Sequence, residues 1–201
     1  MSNRGAMTTN ISKARCSWGE FTLNMQKYHD KEWGVPVYND RKIFEFLSLE
    51  AFQAGLSWST ILNKRKNFIK AFDNFDAVKI SKYNKKKVAS LLKDEGIIRN
   101  RLKIESTISN AKAFLQIKKE FGSFHKYIWQ FVKGKQKINK WKSMSQIPAK
   151  TKESDALSID LKKRGFRFVG STIVYAHMQA TGMVNDHVVS CFRYREVTRG
   201  H

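Results

Sequence analysis

The chain contains two cysteines, Cys16 and Cys191, near its opposite ends, and each has a histidine close by: His29, thirteen positions after the first, and His187, four before the second. A His and a Cys four apart share one face of a helical turn and can offer two ligands to one metal ion. If the two pairs meet, a closed tetrahedral zinc site ties the first part of the chain to the last. No other feature of the sequence restricts the fold as strongly. Buried unligated thiols, or a single disulfide in an oxidising compartment, remain alternative readings.

The stretch between these pairs reads as helical. Only Pro36 and Pro148 interrupt 201 residues, and no alternating apolar pattern lies between hairpin turn signals, so the expected class is all-α. Asn39 or Asp40 can cap a helix from Arg41 to Ala54, which Gly55 ends; it is apolar almost all round and should be buried, with Glu50 its anomaly. Ser57 can cap the next helix, which precedes a turn at 73–76. Further helices are expected at 77–81, 84–95, 100–121 with Gly122 as stop, and from Ser123 through Phe131. The lysine-rich stretch 133–142 should be an exposed loop. Ser154 is expected to cap a helix ending at Arg164, and Ser171 to cap one after the turn Gly165–Gly170. Residues 1–14 and 196–201 read as tails around one domain, 15–195.

Charge narrows the class of partner. Lysine and arginine number 38 against 17 acidic residues, a formal net charge of +21, and the simplest partner for such a surface is nucleic acid. A compositional bias towards Lys, Asn and Ile would give the same balance. No apolar run approaches the roughly 20 residues of a membrane span, so the expectation is a soluble, cytoplasmic protein with no membrane partner.

Two places carry chemistry beyond the metal pairs. The turn GFRFVG joins two helices and exposes backbone N–H groups at the start of the second, where the helix dipole favours an anion such as a DNA phosphate. Lys162, Lys163, Arg164 and Arg167 crowd the same place. Glycine as an ordinary helix stop is the competing reading. Glu50 lies three and four residues from Phe46, Leu47, Gln53 and Ala54, so its carboxylate projects from a mainly apolar face, either as a binding group or as half of a buried ion pair.

KARCSW, YHDKEWGVP, LEAFQAGLSW, DEGIIRNRLKI, LKKRGFRFVGSTI and MVNDHVVSC, taken together and in this order, resemble the bacterial 3-methyladenine DNA glycosylase I family, within the helix-hairpin-helix glycosylase superfamily. The resemblance covers residues 15 to about 194. It implies one structural Zn2+ held by Cys16, His29, His187 and Cys191. It also implies a pocket in which Glu50, Tyr28 and Trp58, with Trp18 nearby, hold an extruded base, and a hairpin (Gly165, Phe166, Arg167, Gly170, Ser171) that grips DNA. Aligned on His187, Asn185 takes the slot where many superfamily members carry a catalytic aspartate, and no lysine lies between Val169 and Gly182 for a Schiff base. The implied activity is therefore monofunctional: excision of 3-methyladenine from double-stranded alkylated DNA, leaving an abasic site and the free base, by a monomer. Asp186 would support a helix end or the neighbouring ligand. A non-catalytic zinc-stabilised DNA-binding module, or a glycosylase for another lesion, are the alternatives.

Overall fold

A computed structural model describes residues 13–199; the tail expected at 1–14 lies almost wholly outside the described residues, as do residues 200 and 201. The helices are α1 (Leu23–Lys31), α2 (Asp40–Gln53), α3 (Trp58–Ala71), α4 (Ala77–Ile80), α5 (Lys85–Lys93), α6 (Arg101–Phe121), α7 (Phe124–Trp129), α8 (Lys152–Lys163), α9 (Ser171–Ala180) and α10 (Phe192–Arg199). The last of these crosses the boundary expected at residue 195.

Local sequence sets most of these boundaries. Thr22, Asn39, Ser57, Asp76, Asn84, Asn100, Ser123 and Thr151 each accept a backbone N–H at the start of α1 to α8 in turn, as short polar side chains do for the orphan donors of a first turn. Two expected caps are corrected. Thr151, not Ser154, caps α8, and Ser154 sits at its third position and returns the bond in a capping box. Ser171 is the first residue of α9 and not its cap; the cap position is Gly170, which has no side chain to use.

The core is organised around α2, whose residues from Ile43 to Phe52 are all buried. It packs against α3, α6, α7 and α9, which is why apolar side chains run nearly all round it; its charged residues Lys42 and Glu45 pair with each other and, respectively, with Glu32 and Arg65. Its C-terminal end is held by Lys103 of α6, buried and donating to the carbonyls of Phe52 (2.8 Å) and Ala54 (2.6 Å). A cation is well placed there, against the negative end of the helix dipole.

The stretch 133–142 is mostly exposed loop, as expected, but it contains a two-residue strand that composition did not reveal. Lys137–Ile138 (β1) pairs in parallel with Val184–Asn185 (β2). The pairing is fixed by tertiary contact, with no alternating pattern to announce it. At Gly182 the chain approaches the segment 35–36 so closely that a Cβ there would lie 2.3 Å from the backbone of Val35 and Pro36, and its φ is +65°. Only glycine meets both demands. Gly34 N–H to Gln179 O and Val37 N–H to Thr181 O, both 3.0 Å, bind the same two segments. The early part of the chain is thereby seated against the end of α9.

Candidate active site and metal centre

Cys16, His29, His187 and Cys191 come together, all buried, with one ligand atom of each lying within 4.8 Å of the other three. The Cys16 Sγ to His187 Nδ1 distance is 3.7 Å; Cys191 Sγ lies 3.5 Å from both His187 Nδ1 and His29 Nε2. Metal–sulfur and metal–nitrogen bonds of the usual zinc lengths, set at a tetrahedral angle, put N and S about 3.6 Å apart. The remaining ring nitrogens face away from the centre and are engaged: His29 Nδ1 with Asp30 Oδ1 at 2.8 Å and His187 Nε2 with the Trp33 carbonyl at 3.0 Å. Such contacts fix the tautomer that leaves the inward nitrogen free to ligate. The donor set therefore fits a closed four-ligand metal site, and the two cysteines are not joined in a disulfide.

One residue away from His29, Tyr28 faces a different space. A cavity of about 450 Å³ is lined by Trp18, Met25, Tyr28, Trp33, Glu50, Gln53 and Trp58 from the first part of the chain and by Met144, Ile147, Pro148, Ala149, Thr172, Tyr175, Ala176 and Gln179 from the later part. The four pocket residues expected from sequence thus share one cavity. The Tyr28 ring lies 5.3 Å from that of Trp58 and 6.1 Å from that of Trp18, both tilted. Glu50 is 4% exposed and among the described residues has neither an ion-pair nor a hydrogen-bond partner, so the buried-pair alternative falls. Burial pushes its carboxyl up to about 8. Burial, and then the charge of Glu50, also push the Tyr28 hydroxyl well above its ordinary value. The indole N–H of Trp58 is likewise buried without a partner. Native interiors seldom leave such groups unmatched, and a concave apolar wall carrying a few unspent polar groups is what a ligand site looks like.

Sequence reasoning missed Met25, Trp33 and Gln53 and the whole wall supplied by the later part of the chain. Thr172, Tyr175, Ala176 and Gln179 follow the spacing of one helix face, a signal that was available; Met144 to Ala149 belong to a loop and gave none. Asp186 organises that wall. Its Oδ1 accepts from Asn139 (2.7 Å) and Trp141 (2.8 Å), and its Oδ2 from Tyr175 (2.6 Å) and Gln179 (2.8 Å). It caps no helix; it joins the loop to α9. Asn185 is buried with its amide engaged by Tyr194 O, Thr198 Oγ1 and the His187 N–H, away from the cavity lining.

The turn between α8 and α9 stands at the end of the same helix that lines the pocket. Gly165 and Arg167 are exposed while Phe166 and Val169 are buried. The absence of a side chain at the α9 cap leaves its first N–H groups open, unlike those of α1 to α8. Of the basic residues crowded there, Lys162, Lys163 and Arg167 are exposed. Arg164 is spent on Glu120 and Asp160, at 2.7 and 2.8 Å.

A helical domain whose end is drawn to its beginning by a cysteine–histidine cluster, with an aromatic pocket floored by an unpaired carboxyl, belongs among the helical proteins that seat a small flat ligand. The comparisons narrow that class: the sequence pattern of the family described as methyladenine glycosylase matches residues 18–194, and the chain belongs to that family. It is 47% identical over 180 residues to DNA-3-methyladenine glycosylase 1 of Escherichia coli K12, covering 90% of this chain and 96% of that protein. A crystal structure of a 3-methyladenine DNA glycosylase I superposes with a TM-score of 0.87 at 47% identity, over 89% of this chain and 98% of the other. A second, of a variant in complex with 3-methyladenine, gives 0.86 at 32% identity, over 89% and 96%.

Proposed function

We propose that this protein is a monofunctional DNA glycosylase that hydrolyses the N-glycosidic bond of 3-methyladenine in alkylated duplex DNA, the first step of base-excision repair in the cytoplasm. The observation that carries the reading is Glu50: a buried carboxyl without a partner on an aromatic cavity, in a member of a family whose relatives are named for this base. A non-catalytic DNA-binding module has no use for such a group.

The geometry supports a simple division of labour. Methylation at N3 leaves adenine positively charged and its glycosidic bond weak, so the base departs as a neutral leaving group and little acid catalysis is required. Tyr28, Trp58 and Trp18 offer flat surfaces on which a flipped base stacks. Glu50 enters the free enzyme protonated at neutral pH; the cationic base favours the carboxylate, which then accepts a hydrogen bond from the exocyclic amine. The lost solvation of that charge is made good only by a cationic base, which gives the pocket its preference for the damaged over the normal purine. Water completes the hydrolysis at the sugar, and the strand stays intact because, among the described residues, no lysine lines the cavity to form a Schiff base.

The turn 165–170 and the start of α9 act as a helix-hairpin-helix grip on a DNA phosphate, through the backbone N–H groups there and the charge of Arg167. Cys16, His29, His187 and Cys191 would hold one Zn2+, which with four protein ligands has no open position and supplies closure of the fold rather than a nucleophile. The single domain works as a monomer.

The test is chromatography of bases released from methylated DNA by the purified protein. Wild type is expected to release 3-methyladenine, and Glu50→Gln to release it at least tenfold more slowly with unchanged binding to undamaged duplex. Equal rates would remove Glu50 from the mechanism, and no released base would return the molecule to the class of DNA-binding modules.

A further inference from the structure

We propose that Asn110, in the middle of α6, is a positioning residue for DNA: it clamps the turn 165–170 in the backbone shape that meets a phosphate. The inference rests on the reading of that turn as a phosphate grip. Asn110 is buried and uses both ends of its amide on one residue of the turn. Its Nδ2 donates to Arg167 O at 3.0 Å and its Oδ1 accepts from Arg167 N–H at 2.8 Å. The pair copies the exchange between two strand residues, with a side chain standing in for one backbone.

The turn needs such a clamp. Phe168, next to the clamped residue, has φ +55°, a left-handed conformation that a bulky side chain adopts only when its surroundings impose it. Around it the chain is pinned from within: Phe166 packs 5.9 Å from the Phe124 ring, and Val169 O accepts from Ser158 Oγ at 2.6 Å. The pins take up the inward groups and leave the outward ones. Arg167 sends its N–H to Asn110 and its side chain to solvent. Among the described residues no protein acceptor faces the N–H of Phe168, Val169 or Gly170, and α9 then begins without a capping side chain. The donors offered to a phosphate are therefore those following Arg167, and their direction is set by the clamp behind it.

A clamp of this kind acts on the encounter with DNA and leaves the base pocket alone. The experiment is steady-state excision from a duplex with a single lesion, together with binding of free 3-methyladenine followed by tryptophan fluorescence. Asn110→Ala is expected to raise KM about tenfold while kcat and free-base affinity stay within about twofold. Asn110→Asp keeps the acceptor for Arg167 N–H but sets an oxygen against Arg167 O, and is expected to raise KM as well; it decides the matter should the alanine variant not fold. Gly170→Pro is the control on the underlying reading. Its φ of −60° suits proline and no atom lies within 4 Å of an added Cβ, so it removes one N–H donor with little else and should also raise KM. If Gly170→Pro raises KM and neither Asn110 variant does, the clamp is refuted and the phosphate grip stands. If Gly170→Pro leaves KM unchanged, the grip itself is refuted. A fall in free-base affinity for the Asn110 variants, matching their loss of activity, would make Asn110 a general prop of the fold and overturn the proposal.

Discussion

Glu50 imposes a stability cost that can be measured separately from its chemistry. Its carboxyl, near 8 when folded and near 4.5 when exposed, holds its proton in the native state and gives it up on unfolding. Between those values the folded protein binds more protons than the unfolded one, so stability falls as pH rises. Glu50→Gln should therefore be more stable than wild type at pH 7, by roughly 3 kcal/mol, with the difference shrinking to nothing at about pH 4.5; urea titrations at several pH values would show it. A constant difference would mean that the carboxyl is ionised in the fold. At this scale the sequence was informative where one residue type was scarce. Two cysteines marked Cys16 and Cys191, and an acid whose helical neighbours are mainly apolar marked Glu50; Glu45 of the same helix is buried against Arg65 instead. Trp33 and Tyr175 carried no comparable mark, because an aromatic that lines a cavity and one that fills a core look alike until their neighbours are known.

Helix boundaries were legible for a similar reason: an N-cap is a contact over three residues, written in the same few positions it stabilises. Where the expectation slipped, the error was one of position: at α8 two hydroxyls three apart, Thr151 and Ser154, could each start the helix and share one capping box, while Ser171 lies one residue inside α9, its hydroxyl 2.9 Å from that of Ser154. The pairing of β1 with β2 and the wall from Met144 to Ala149 were illegible because their partners are distant in sequence. Gly182 is the element-scale counterpart of these long-range contacts. Replacement by alanine would drive a Cβ into the backbone of residues 35 and 36 and strain the end of α9. We expect a loss of at least about 3 kcal/mol, read as a lower thermal midpoint, and with it a loss of pocket function, since Gln179 and Gly34 share the junction. A variant of wild-type stability would show that the two segments can separate at little cost.

For the molecule as a whole, a metal ion held by the Cys16–His29–His187–Cys191 group would be a crosslink between residues 16 and 191, and the Phe192 N–H to Ala14 O bond of 2.9 Å shows how closely those ends run. Closing so long a loop restricts the unfolded chain by an amount comparable to a disulfide, roughly 3–5 kcal/mol. Purified protein should contain one equivalent of zinc by elemental analysis, and stripping it with a chelator in mild denaturant should lower the thermal midpoint by several degrees and abolish base binding, since Tyr28 adjoins His29. Activity and stability that survive a metal-free preparation would refute the assignment. The excess of positive charge has its own signature. If about six side chains neutralise phosphates, affinity for undamaged duplex should fall steeply between 50 and 200 mM salt, with a log–log slope near −5; a flat response would assign the charge to composition. One further consequence follows from the near-complete burial of Cys16 and Cys191. The reagents that methylate adenine are electrophiles and attack thiolate sulfur readily. A repair protein must keep working in the presence of such reagents, and this one keeps both of its thiol sulfurs buried.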